Sequence, residues 1–213
     1  MAKKTITTPR GTARYPWLNT ADTKFGDPKY KVDLMVESGS VGDFGAKIED
    51  ALEDHFNAIL DKEQGGKYRE IFKAELPFFE DGGETLFRCS LNKIGKSKKT
   101  GETWENKITF YDAKGRPIPE GMAPKIGGAS ILRVSCELNT WTRPNVEGRG
   151  SAKVTDLEVG ISLRIKGVQV IEAKQGGNGP ASAESMGFGE EEGYSYDPDA
   201  FDADEGGNDA GDF

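Results

Sequence analysis

Cationic side chains alternate with aromatic ones along much of this chain. Lys3, Lys4, Arg10, Arg14, Tyr15, Trp17, Lys24, Lys29 and Lys31 open the series. Arg88 and a loop with Lys93, Lys96, Lys98, Lys99, Trp104 and Lys107 follow, and Tyr111, Arg133, Trp141, Arg143 and Arg149 close it. Phosphates call for cations and unstacked bases call for flat apolar surfaces, each worth about 1–3 kcal/mol, so the pairing suits a single polynucleotide strand. Lys31, Arg88, Lys107, Tyr111, Arg133 and Trp141 are the candidates that strand parity turns outward. Any one lysine of the series, taken singly, reads as ordinary solvated surface sooner than as a contact, and Trp17 and Trp104 equally as core or loop-packing residues.

Catalytic patterns are poor by comparison. Gly95-Lys96-Ser97 resembles the end of a phosphate-binding loop, but that motif needs glycine at position 90, where Ser90 stands. The single histidine, His55, lies among acids on an expected helix and reads as a solvated helix residue. Cys89 and Cys136 fall on apolar strand faces and read as small buried hydrophobes; two cysteines and one histidine make neither a disulfide framework nor a zinc site. No carboxylate spacing marks a metal. The expectation is a binding protein without catalytic residues, metal or cofactor.

Charge is strongly segregated. The 213 residues carry a net charge of -8, yet residues 1–174 hold all 28 bases and 25 of the 36 acids, a balance of +3. Residues 175–213 hold 11 acids and no base, are rich in Gly and Ser, and lack Val, Ile and Leu. Such a string cannot bury enough surface to offset its ordering entropy, so a disordered acidic tail is expected after a folded domain over 1–174. Asp209, Asp212 and the terminal Phe213, with its own α-carboxylate, form a compact ligand for a basic pocket on another protein. The tail could also fold back and compete with phosphates for the cationic surface, helped by a high effective concentration. No run approaches the roughly 18 apolar residues of a membrane span, and the N-terminus lacks a signal-peptide core, so a cytosolic chain is expected.

Strands must position the cations. Tyr30, Val32, Leu34 and Val36 alternate with Lys31, Asp33, Met35 and Glu37; Phe87, Cys89 and Leu91 alternate with Arg88, Ser90 and Asn92. Leu132, Val134, Cys136 and Leu138 oppose Arg133, Ser135, Glu137, Asn139 and Trp141, so a tryptophan lands on a polar face. Lys107, Thr109 and Tyr111 oppose Ile108 and Phe110. Further strands are expected near Thr5–Trp17 and Ile161–Ile171, the latter with a bulge at Gly167. Asp81-Gly82-Gly83 and Lys114-Gly115 predict hairpin turns. Ser40 and Asp43 resemble a capping box that opens a helix through Phe44, Ile48, Leu52, Phe56 and Ile59, stopping at Gly65-Gly66; a shorter helical turn is expected around Tyr68, Ile71 and Phe72. The mainly β reading that follows is a five-stranded oligonucleotide-binding (OB-fold) barrel with one added amphipathic helix. An immunoglobulin-like sandwich is the competing arrangement.

Several blocks resemble the single-stranded DNA-binding replication proteins of short-tailed bacteriophages: Met1-Ala2-Lys3-Lys4, Gly11-Thr12-Ala13, Tyr30-Lys31-Val32-Asp33-Leu34, Leu76-Pro77-Phe78-Phe79, Asp112-Ala113-Lys114-Gly115, Ile126-Gly127-Gly128 and Gly211-Asp212-Phe213. They keep their order across nearly the whole chain. The resemblance implies an OB-fold that coats single-stranded DNA in replication, recombination, repair and strand annealing inside the infected bacterial cytoplasm. It also implies an acidic tail that recruits the replicative DNA polymerase and helicase-primase, a homodimer, and DNA contacts from Lys3, Lys29, Arg88 and Trp141. Pro144–Ala152 reads as an insertion, with Arg149 and Lys153 extending the basic surface. Two other classes fit parts of the pattern: an acidic chaperone or DNA mimic, acting through the tail, and a virion structural protein.

Overall fold

A computed structural model describes residues 5–24, 26–63, 65–97, 99–147 and 154–174. Lys3, Lys98, Arg149, Lys153 and the expected tail, with Asp209, Asp212 and Phe213, lie outside the described residues.

Among the described residues, alternating β-branched and aliphatic residues give twelve strands: β1 (Thr5–Thr7), β2 (Gly11–Asp22), β3 (Lys29–Glu37), β4 (Ile71–Lys73), β5 (Phe78–Asp81), β6 (Glu84–Asn92), β7 (Ile94–Lys96), β8 (Thr103–Glu105), β9 (Thr109–Tyr111), β10 (Pro117–Ile118), β11 (Ile131–Glu147) and β12 (Val154–Glu172). Ten belong to one sheet, and β7 with β8 forms a separate hairpin. Within the large sheet β2 pairs β3, β3 pairs β6, β6 pairs β12, β12 pairs β11, and β11 returns to pair β2. Only the β6–β12 pairing in this cycle is parallel. Five strands is therefore too low a count for the sheet: β1, β4, β5, β9 and β10 attach outside the cycle.

Parity reads through to packing. Val32, Leu34, Val36, Phe87, Cys89, Leu132, Val134, Cys136, Leu163 and Ile165 are buried in one core. The two cysteine sulfurs approach to 3.6 Å in this core, and the contact together with burial pushes the Cys136 thiol well up. Opposite Ser135 and Cys136 stand Gly167 and Ile165, which leaves Lys166 as the extra residue of a bulge where Gly167 predicted one. Asp81 pairs Glu84 across Gly82 and Gly83, whose φ angles of +61° and +88° are the left-handed pair that a two-residue hairpin requires.

Helix α1 (Asp43–Lys62) buries Phe44, Ile48 and Leu52 at i, i+4 and i+8 against the sheet, with Phe44 edge-on to Phe87 at 4.9 Å. Its entry differs from the expected capping box: Ser38–Ser40 forms a 3₁₀ turn, Gly42 is the cap residue, and no side chain bonds the first turn. The expected helical turn around Ile71 and Phe72 is instead strand β4, because parallel pairing with Leu157–Val159 supplies the hydrogen bonds that so short a helix could not. His55 is half-buried rather than solvated, and desolvation holds its imidazole below the usual pKa. Among the described residues no helix is long and apolar enough to cross a membrane.

Candidate nucleic-acid interface

The outward residues of β3 and β6, with their neighbours on β2, β12 and β11, fall into rows across the strands. In the first row Arg14, Asp33 and Arg88 stand on three adjacent strands. In the second, Trp17, Lys31, Ser90, Arg164 and Glu137 stand on five. In the third, Lys29 lies between Asp22 and Asn92. Neighbouring strands are about 4.8 Å apart, so each row holds its charges within a few ångströms of the next. The rows contain five cations (Arg14, Lys29, Lys31, Arg88, Arg164) against three carboxylates (Asp22, Asp33, Glu137).

Asp22 and Glu137 are buried and Asp33 half-buried, while Lys29, Lys31 and Arg164 are half-buried and Arg14 and Arg88 exposed. Burial pushes the Asp33 carboxyl up, against the pull of Arg88, Lys31 and Arg14. Asp22, only 7% exposed at its side chain, takes an ion pair from Lys31 at 2.6 Å, and that bond holds its carboxyl below the usual range. Glu137 lies on the outward parity expected of it but is 7% exposed, covered where Thr5 of β1 pairs beside it and Lys166 Nζ approaches to 3.9 Å. Arg88 is exposed and lays its guanidinium 4.8 Å from the centre of the Phe79 ring. Arg14 does the same over Tyr15 at 5.3 Å. Tyr15 itself has φ +48° and is 65% exposed, because two residues of β2, Tyr15 and Pro16, stand where β3 has one, Val32. That bulge turns a large ring into solvent.

The candidate residues do not all gather here. Lys29, Lys31 and Arg88 do. Lys107 lies in the loop before β9, not in a strand, and bonds Glu120 at 2.6 Å, which raises its pKa. Tyr111, on β9, lies against Gly167, where an added Cβ would meet the ring at 3.1 Å. β9 and β6 share one edge of β12, at Gly167–Gln169 and Leu163–Arg164, so Lys107 and Tyr111 flank the rows. Trp141 is half-buried, its indole flat on Gly160 across the strand pair, where a Cβ would lie 2.2 Å from the ring, and Arg143 stands over it at 5.6 Å. Arg133 is eight residues back along β11, about 26 Å away, donating from Nε to the Thr8 carbonyl at 3.2 Å beside the start of α1.

Arg164 was missed by the sequence reading. Its signal was available, since Leu163 and Ile165 on either side are buried. Trp104 is 46% exposed on the β7–β8 hairpin, with Nε1 donating to Asn106 Oδ1 at 3.0 Å.

The family model described as single-stranded DNA-binding protein, bacteriophage T7, matches residues 10–159. The single-stranded DNA-binding protein of Enterobacteria phage T3 is 27% identical over 197 residues, covering 83% of this chain and 79% of that one. The crystal structure of gp2.5, a single-stranded DNA-binding protein encoded by bacteriophage T7, superposes with a TM-score of 0.65 at 24% identity, over 85% of this chain and 99% of that one. The single-stranded DNA-binding protein of bacteriophage Enc34 in complex with ssDNA gives a TM-score of 0.48 at 14% identity, over 82% and 89%. The family model, the phage T3 relative and gp2.5 are all described as single-stranded DNA-binding proteins. With β2 to β11 and the start of β12 spanned by the matching family model, the chain belongs to the family of phage single-stranded DNA-binding proteins represented by that of bacteriophage T7.

Proposed function

We propose that this chain binds single-stranded DNA without sequence preference, along the outward rows of β3, β6 and β12. The observation that carries the reading is the placement of Arg88 and Arg14 on exposed rings on either side of half-buried Asp33, with Lys31 in the next row along β3. Phosphates meet the cations, bases meet the rings, and neither contact reads base identity. Lys29, Lys31 and Arg88 form the centre of the contact, Lys107, Tyr111 and Trp141 extend it, Arg133 acts at its margin, and Lys3 adds a further contact. The closed cycle of five strands is the OB-type barrel on which this surface is mounted, with the remaining strands as additions.

The activity served is the coating of strands in phage DNA replication, recombination and annealing within the infected host. Residues 175–213 act as a separate acidic arm. The arm competes with DNA for the cationic rows and docks the replicative polymerase and helicase-primase through Asp209, Asp212 and Phe213, and it supports a homodimer. Titration of tryptophan fluorescence with oligo-dT at two salt concentrations tests the reading, on the full chain and on a chain ending at Lys174. Quenching that weakens with salt and tightens on removal of the 11 acids is expected. Binding to basic proteins with no response to oligo-dT would favour a DNA mimic instead.

A further inference from the structure

The β7–β8 hairpin carries more order than a surface loop needs. The indole of Trp104 lies on Gly95, its cross-strand partner, so closely that an added Cβ would sit 2.3 Å from the ring. Its edge is held as well, since Nε1 donates to Asn106 Oδ1 at 3.0 Å while Asn106 Nδ2 donates to the Asn92 carbonyl at 2.8 Å. The Asn106 and Lys93 backbone amides donate to Lys93 and Pro28 carbonyls, both at 2.7 Å, which ties the hairpin to the start of β3. With its polar atom satisfied and its rotation blocked, the ring is 46% exposed. It shares a cavity of about 540 Å³ with Lys96 of the hairpin and with Asn139, Ser162 and Arg164 of the sheet. Ser162 and Asn139 bond each other there, and Arg164 is the residue directly across from Ser90 in the Lys31 row.

We infer that this cavity receives one nucleobase of the bound strand, stacked on Trp104, with the flanking phosphates at Lys96 and Arg164. The volume lies within the roughly 300–1,000 Å³ of small-ligand pockets. Aromatic surface with two cations, one from the hairpin and one from the sheet, is the chemistry of a nucleotide, and immobilising the ring beforehand lowers the ordering cost of stacking. A strand running along the row from Lys31 over Ser90 reaches Arg164 and then the pocket. The inference rests on the proposed single-strand binding and adds to it a fixed site where one base leaves the strand's own stack.

The test uses the full chain and oligo-dT. Trp104→Ala is expected to weaken binding about tenfold, and Trp104→Phe, which keeps a ring but not the Asn106 bond, to stay within about threefold of the parent. An oligonucleotide carrying 5-iodouracil is expected to photocross-link to Trp104 of the unsubstituted protein, a readout independent of how the variants fold. Unchanged affinity in Trp104→Ala together with cross-links elsewhere would overturn the pocket while leaving the strand-binding reading intact. Absence of any oligo-dT binding by the parent protein would overturn that reading itself.

Discussion

Two sets of arginines on this molecule are alike in sequence and opposite in circumstance. Along the outward rows of β3 and β6, Arg88 and Arg14 lie on the rings of Phe79 and Tyr15. Along the β11–β12 arm, Arg143, although it too stands over a ring, that of Trp141, donates from Nε to Glu158 at 2.9 Å, and Arg69 bonds Asp156 and, at 3.2 Å, Glu147. Both sets are solvent-accessible. The arm's charges are neutralised by carboxylates in direct contact, whereas a ring beneath a guanidinium leaves its donors for an incoming oxyanion. A basic count thus says little about where a polyanion binds; which partner each cation already has says much more.

The comparison is broken most directly by swapping which set is removed. Lys31→Ala with Arg88→Ala should weaken oligo-dT binding about a hundredfold, each lost charge-assisted contact contributing about 1.5 kcal/mol. Arg69→Ala with Arg143→Ala should leave affinity within about twofold and instead lower the thermal midpoint, because Asp156, 4% exposed, loses its partner. Trp141→Ala should cost about tenfold in affinity if its ring stacks on a base, measured by anisotropy of a labelled oligonucleotide. A loss of folded protein instead would assign the ring to packing over Gly160.

Two smaller effects sharpen the contrast. Asp22→Asn releases Lys31 from its ion pair and should tighten oligo-dT binding by about twofold to threefold. Burial raises the Asp33 carboxyl above its ordinary value. As pH falls toward the carboxylate range Asp33 therefore gains its proton early, the rows become more cationic, and affinity should rise; Asp33→Asn should abolish its share of that rise. For stability the sign is the converse of an ion-paired acid. The native state holds the Asp33 proton more tightly than the unfolded chain, so its contribution is complete below the unfolded pKa and declines as pH rises through the folded one. At neutral pH Asp33→Asn should accordingly raise the thermal midpoint slightly.

Parity made the centre of this surface legible. Val32, Leu34 and Val36 against Lys31 and Asp33, and Phe87 and Cys89 against Arg88, needed nothing beyond period two. Local pattern failed where pairing partners decide. Ile71 and Phe72 become a strand through Leu157–Val159, more than eighty positions later. Glu137 keeps its outward parity and is covered by an added strand, β1. Which cations are neutralised was equally illegible, since Arg69 meets Asp156 and Lys107 meets Glu120 only after the chain has folded. Trp104 could not be assigned from sequence because its ring is fixed by Gly95 and Asn106 on a hairpin with no core of its own.

The salt dependence of oligo-dT affinity, compared between the parent chain and Lys31→Ala with Arg88→Ala, measures whether the β3–β6 cations meet phosphate. Each phosphate contact on a single strand contributes about 0.7 to the slope of log affinity against log salt. The account predicts a slope shallower by about 1.4 in the double variant. A slope equal to the parent's, at whatever affinity, would contradict it.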